Sequence, residues 1–198
     1  PDSSNVFGFT AFRGELYFRA DDGETGQELW KLDRHGEVVQ VADINEGPAF
    51  SLPQGLVLEQ FRGELYFQAD DGETGPELWK LDRHGEVVQV AEIRDGPAGS
   101  FPQGLTEFRG ELYFDADDGV TGRELWKLDR KGEVVQVADI NEGPDSSLPF
   151  VLTEFRGELY FRADDGETGQ ELWKLDRKGE VFQVDDINDG PADSNPGG

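Results

Sequence analysis

The string FRGELYF occurs four times, starting at Phe12, Phe61, Phe108 and Phe155, at spacings of 49, 47 and 47 residues. A repeat this long and regular constrains the fold more than any other feature. Each copy is one supersecondary unit that can bury its apolar faces only against its neighbours. Cutting at proline gives units 1–47, 48–96, 97–143 and 144–190, which make up one repeat domain over 1–190. The second unit is two residues longer, around QGLVLEQ. The opening PDSSNVFGFTAF aligns without a gap on PDSSLPFVLTEF at 144–155, so the chain starts in phase with its own repeat. The tail, PADSNPGG at 191–198, reads as the start of a fifth unit and as a partial latch over the start of the chain.

Each unit holds four short strand candidates separated by turn signals. In the third they are GLTEF, ELYFDAD, ELWKLD and EVVQVADI. Arg109-Gly110 closes the first hairpin, DGVTG the second, and DRKG the third, where Gly132 supplies the left-handed conformation. The longest connection follows the fourth strand, as in RDGPAGSFPQ at 94–103. An up-down-up-down sheet with a longer return to the next unit is the plan of a propeller blade. Side-chain parity agrees. Leu16, Phe18 and Ala20 share one face with Tyr17 on the other, and Leu29 opposes Trp30 and Leu32. Val39 and Val41 likewise oppose Val38, Ala42 and Ile44, so both faces need cover, as stacked blades provide. The fold class expected is all-β, a β-propeller of four four-stranded antiparallel blades. The alternatives are an open arc that dimerises into eight blades and a head-to-tail polymer.

The repeat resembles the bacterial ELWxxDGT repeat, which runs NG-x-LYF-x-A-x-DG-x-x-G-x-ELW-x-x-DGT and continues into a V-x-DI strand. GELYF, ADDG, TG, ELWKLD and VADIN match that pattern here, in four copies that span the chain. Two departures stand out. The DGT after ELWxx becomes Asp33-Arg34-His35-Gly36 and its equivalents, and the Asn-Gly hairpin becomes Arg13-Gly14, Arg62-Gly63, Arg109-Gly110 and Arg156-Gly157. The resemblance implies a secreted or cell-surface bacterial propeller. The copies are also alike enough to suit a recent duplication or a consensus-style design.

The formal charge is −25, from 43 acidic and 18 basic residues. Such a field repels nucleic acid and anionic membranes, and no apolar run is long enough to insert into a bilayer. There is no Cys, so thiol catalysis and thiolate metal sites are excluded. The chain opens on Pro1 and contains no Met, so it reads as processed or trimmed, with any signal peptide outside it.

The acidic turns are the candidate cation sites. Asp21, Asp22 and Glu24 recur as Asp70, Asp71 and Glu73, as Asp117 and Asp118 (with Val120 in the glutamate position), and as Asp164, Asp165 and Glu167. Calcium takes six to eight oxygens, often from short Gly-containing loops, and is the candidate cofactor. The competing reading, which is preferred, is that these aspartates cap turns through backbone N–H groups. The same holds for Asp43, Asn45 and Glu46 in ADINEGP, because Arg94 replaces the asparagine in the second copy. Trp30, Trp79, Trp126 and Trp173, with Tyr17, Tyr66, Tyr113 and Tyr160, are candidate ligand-stacking residues. Wedge-shaped gaps between blades also require large side chains, and core packing is the stronger reading for Trp. His35 and His84 are exchanged for Lys131 and Lys178, which suits solvent-facing turns.

A hydrolase needs two carboxylates in different environments, and near-identical copies offer four similar ones. The expectation is therefore a non-enzymatic, extracellular or surface propeller acting as a multivalent binding or adhesion module for carbohydrate or protein. A self-associating structural protein is the alternative, and a propeller-scaffold hydrolase or lyase the weaker one.

Overall fold

A computed structural model describes residues 4–191 and 194. Among them every regular element is a strand. Blade 1 comprises β1 (Phe7–Phe12), β2 (Glu15–Asp21), β3 (Gln27–Leu32) and β4 (Val38–Ala42). Blade 2 comprises β5 (Gln54–Phe61), β6 (Glu64–Asp70), β7 (Pro76–Leu81) and β8 (Val87–Ala91). Blade 3 comprises β9 (Gln103–Phe108), β10 (Glu111–Asp117), β11 (Arg123–Leu128) and β12 (Val134–Ala138). Blade 4 comprises β13 (Phe150–Phe155), β14 (Glu158–Asp164), β15 (Gln170–Leu175) and β16 (Val181–Asp185). Each blade is one antiparallel sheet whose strands pair in chain order. The chain divides into two compact units, Pro1–Phe101 with blades 1 and 2 and Pro102–Gly198 with blades 3 and 4.

The first hairpin explains the Arg-Gly departure. Both turn residues lie at positive φ, for example Arg13 at 51° and Gly14 at 78°. That is the primed turn whose twist matches the flanking strands. Arginine is an unusual choice for positive φ, and here it makes contacts that asparagine could not. The Arg13 guanidinium sits 5.0 Å from the centre of the Phe12 ring, and Arg62, Arg109 and Arg156 repeat the stack on Phe61, Phe108 and Phe155. Arg13 also donates to the Arg83 carbonyl at 3.0 Å, tying blade 1 to blade 2, and Arg109 donates to the Arg177 carbonyl at 3.2 Å in the second unit.

Within each unit the two blades pack face to face. Phe12, Tyr17, Leu29 and Ile44 of blade 1 meet Leu65, Phe67, Ala69 and Leu81 of blade 2. Phe108, Tyr113, Leu125 and Ile140 of blade 3 meet Leu159, Phe161, Ala163 and Leu175 of blade 4.

A buried polar joint accompanies this packing. Glu28, fully buried on β3, accepts from the Ile44 N–H at 3.0 Å, the Ser51 N–H at 3.0 Å and the Ser51 hydroxyl at 2.6 Å. The Ser51 carbonyl in turn accepts from the Asp70 N–H at 2.9 Å in blade 2. Glu124, Ser147 and Asp164 build the same joint in the second unit. Little room is left for variation beside the joint. A Cβ on Gly122 would lie 2.6 Å from the Asp145 carbonyl oxygen, and Gly122 is at φ 72°. Of the tail, only Pro191 and Ser194 are described, so the remainder of the proposed latch lies outside the described residues. Ser194 occupies the repeat position of Ser51 and donates from its N–H to Glu171 of its own blade at 3.0 Å.

Candidate functional site

The acidic turns spend their carboxylates on their own backbone. Asp22 Oδ1 accepts from the N–H groups of Glu24 and Thr25, both at 2.8 Å, and from the Thr25 hydroxyl at 3.1 Å. Asp21 Oδ1 accepts from the Gly23 N–H at 2.7 Å. Asp71, Asp118 and Asp165 repeat the cap, and Val120 takes the glutamate position by offering only its N–H. These bonds to the charged form hold the Asp22 carboxyl below the usual aspartate range. Glu24, Glu73 and Glu167 are exposed and contribute backbone N–H donors to the same caps. Asp70, Asp117 and Asp164 accept from Gly72, Gly119 and Gly166 at 2.6–2.7 Å. Among the described residues no group of three acidic or histidine side chains is assembled to hold a metal ion.

The aromatic candidates are set into the blades. Trp30, Trp79, Trp126 and Trp173 are half-buried mid-strand, each with a buried indole N–H that has no hydrogen-bond partner. Tyr17, Tyr66 and Tyr113 are buried, and Tyr160 is half-buried. Their hydroxyls donate to Glu15, Glu64, Glu111 and Glu158 at 2.8–3.0 Å. Burial pushes the Tyr17 hydroxyl far up, and the neighbouring Glu15 carboxylate adds to this. His35 and His84 are exposed in the third turns.

The structure also draws together residues that the repeat pattern hides. The ELYF-x-AD position carries Arg19, Gln68, Asp115 and Arg162 in turn, and the TG-x-ELW position carries Gln27, Pro76, Arg123 and Gln170. Only the third unit has a carboxylate at the first position and an arginine at the second. Asp115, at the bulge where β10 pairs with β9, is 4% exposed. Its Oδ2 accepts a short hydrogen bond from Arg123 Nη1 on β11. Desolvation by burial raises the Asp115 carboxyl above the usual aspartate range, against the opposing pull of Arg123. Both side chains line a cavity of about 270 Å³, together with Gln103, Phe150, Arg162 and Gln170. Arg162 lies with its guanidinium 5.4 Å from the centre of the Phe150 ring, and its buried Nε has no partner. A carboxyl of raised pKa, a guanidinium with an unfilled donor, two amides and one aromatic wall thus meet in one small hollow.

No protein-family model matches the chain, and no curated protein matches it. Solved structures do. Puromycin hydrolase is similar over 90% of this chain and 28% of its own, with a TM-score of 0.59 and 18% identity. Its serine-to-alanine mutant complexed with PGG matches over the same shares at 0.58. A putative gluconolactonase matches over 90% of this chain and 62% of its own, with a TM-score of 0.51 and 16% identity. The fold is a β-propeller. The propeller chain described here thus spans under a third of the puromycin hydrolase length and under two thirds of the gluconolactonase length.

These matches correct the expectation of a non-enzymatic binding or adhesion module, because the proteins sharing the fold are named as enzymes. Four alike copies offer four alike environments only where the copies agree, and at Asp115 they do not.

Proposed function

We propose that the chain is a propeller-scaffold hydrolase that acts at the Asp115 cavity on a small ester, lactone or amide. The observation that carries this reading is the single buried carboxylate at a position where the other blades have Arg19, Gln68 and Arg162, facing a cavity beside a second guanidinium. General-base work needs a carboxylate shielded from water but open to the reactant, and charge developing on an acyl oxygen needs a fixed donor. Asp115 supplies the first and Arg162 the second. Arg123 is a positioning residue that holds the carboxylate.

In the proposed step, the Asp115 carboxylate takes a proton from water as the water oxygen bonds to the acyl carbon. The carbonyl oxygen becomes an oxyanion facing Arg162. Collapse of that intermediate breaks the bond to the leaving alcohol or amine, which recovers the proton from Asp115. A cavity of about 270 Å³ limits the part of the substrate that enters to a small group.

The test is hydrolysis of a panel of lactones, aryl esters and aminoacyl amides by the wild type and by Asp115→Gln, which borrows the residue that blade 2 carries at Gln68. The expected result is turnover by the wild type and a drop in kcat/KM of about 100-fold or more in the variant, with an unchanged circular dichroism spectrum. A wild type inactive on the whole panel, or a variant as active as the wild type, overturns the proposal.

A further inference from the structure

The two ends of the repeat leave open the faces that the blade pairs inside each unit cover. Blade 4 carries Phe155, Tyr160, Leu172 and Ile187 at the positions of Phe12, Tyr17, Leu29 and Ile44. Phe155 is 54% and Ile187 59% exposed, whereas Phe12 and Ile44 are 4% and 9% exposed beneath blade 2. Phe108 and Ile140, beneath blade 4, are likewise buried. Blade 1 presents the opposite, covering face through Leu16, Phe18, Ala20 and Leu32. Its two leucines are half-buried, whereas the equivalent Leu65, Leu81, Leu159 and Leu175 are buried.

The two open faces also match in relief. A hollow of about 310 Å³ opens on blade 1 among Val6, Phe18, Ala20, Trp30 and Val38. At the same place on blade 2, Val41, Ala42 and Ile44 of the preceding blade pack into the cluster that contains Ala69, Trp79 and Val87. The blade 4 counterparts of Val41 and Ile44 are Val184 and Ile187, 42% and 59% exposed.

We propose that these faces form a head-to-tail interface between copies of this chain, with Val184 and Ile187 of one copy seated in the blade 1 hollow of the next. The occupant follows from the molecule itself. In both units a Phe/Tyr/Leu/Ile face is covered by a Leu/Phe/Ala/Leu face; blade 4 carries the first kind with Phe155 and Ile187 exposed, and blade 1 the second with Leu16 and Leu32 half-buried and Phe18 and Ala20 each 7% exposed. Burial of the apolar area drives the contact, and patches of this kind on a free surface mark interaction sites. Two features hold the association to a reversible strength. Asp185 stands where Ala42 and Ala138 pack in the internal joints, and the formal charge of −25 sets copies against one another. The inference is independent of the hydrolase reading, because none of its residues lines the Asp115 cavity.

Light scattering after gel filtration, in salt sufficient to screen the net charge, reads the result directly. The full chain is expected to run above its 22.0 kDa monomer mass and to grow with concentration. Ile187→Glu and Val38→Glu each spoil one of the two faces, at side chains that are already exposed, and each alone is expected to run as a monomer. An equimolar mixture of the two variants retains one intact seam and is expected to recover a particle of twice the monomer mass. Asp185→Ala restores the residue of the internal joints and is expected to shift assembly to lower concentration. A wild type that stays at 22.0 kDa throughout overturns the proposal, as does assembly that survives in both single variants or fails to return in the mixture.

Discussion

Glu124 and Asp115 are both buried carboxylates of blade 3, and they have opposite roles. Glu124 recurs as Glu28, Glu77 and Glu171, and it accepts from the Ile140 N–H and from the N–H and hydroxyl of Ser147 at 2.6–2.9 Å. Asp115 occurs once, is held by Arg123, and lines a cavity. A carboxylate that appears in every blade with its oxygens fully engaged closes the blade onto its return loop. One that appears in a single blade, with an open side, is available to a reactant. Repetition therefore marks structure in this chain, and a break in repetition marks the proposed site.

Removing the repeated acid should have the largest effect. Glu124→Ala leaves two backbone N–H groups buried without an acceptor and removes the shorter of the two bonds of the Ser147 hydroxyl. It should cost about 3–5 kcal/mol of stability by chemical denaturation, with the same loss expected for Glu28→Ala. The unique acid should show the reverse pattern. Asp115→Gln should lower the rate by about 100-fold, near 2.7 kcal/mol of barrier, and leave the denaturation midpoint close to that of the wild type. Transplanting the acid sharpens the contrast. Gln68→Asp places a carboxylate at the equivalent buried position, where the repeat position of Arg123 is held by Pro76, at a cost of about 2–4 kcal/mol. Pro76→Arg in the same chain should recover part of that loss.

The pH dependence separates the joints from the turns. Burial raises the Glu28, Glu77 and Glu124 carboxyls above the usual glutamate range. The unfolded chain therefore loses these protons first, and their contribution to stability falls as pH rises from the ordinary glutamate pKa through the raised folded values. The lowered Asp22, Asp71, Asp118 and Asp165 carboxyls act in the other direction. Their contribution is present above the ordinary aspartate pKa and is lost as pH falls through the folded values. A denaturation series in pH should therefore find the advantage of wild type over Glu124→Gln shrinking as pH rises through the carboxylate range. A constant gap would mean that Glu124 does not change protonation there. The smallest effect expected is that of Ser147→Ala, which removes the hydroxyl bond and keeps the Ser147 N–H on Glu124, at about 1 kcal/mol.

Much of the fold and little of the site were legible in the residues alone. The strands, the three turns of each blade and their order follow from alternation and from Gly, Asp and Asn at fixed offsets. Asp22 capping its own turn is equally legible, because the donors lie two and three residues away. Tyr17 reads from the sequence as a candidate ligand-stacking residue. Instead its ring is buried between blades, a placement set by the facing blade, while its hydroxyl reaches Glu15 two residues away on its own strand. The signal for Asp115 was present as the odd residue in ELYF-x-AD. Its meaning required Arg123 on the neighbouring strand and Arg162 on the next blade to be placed around it.

By itself the sequence determined four blades and their primed and Asp-capped turns, because strand alternation and turn chemistry act between residues a few positions apart. Only the tertiary structure decided which acids are buried, which faces stay open and where the cavity lies. Those properties depend on partners such as Glu28 and Ser51, 23 positions apart, and on blade faces that meet only once the sheets have formed. The physical reason is that desolvation and cavity shape are set by whatever packs alongside, and no local pattern records that.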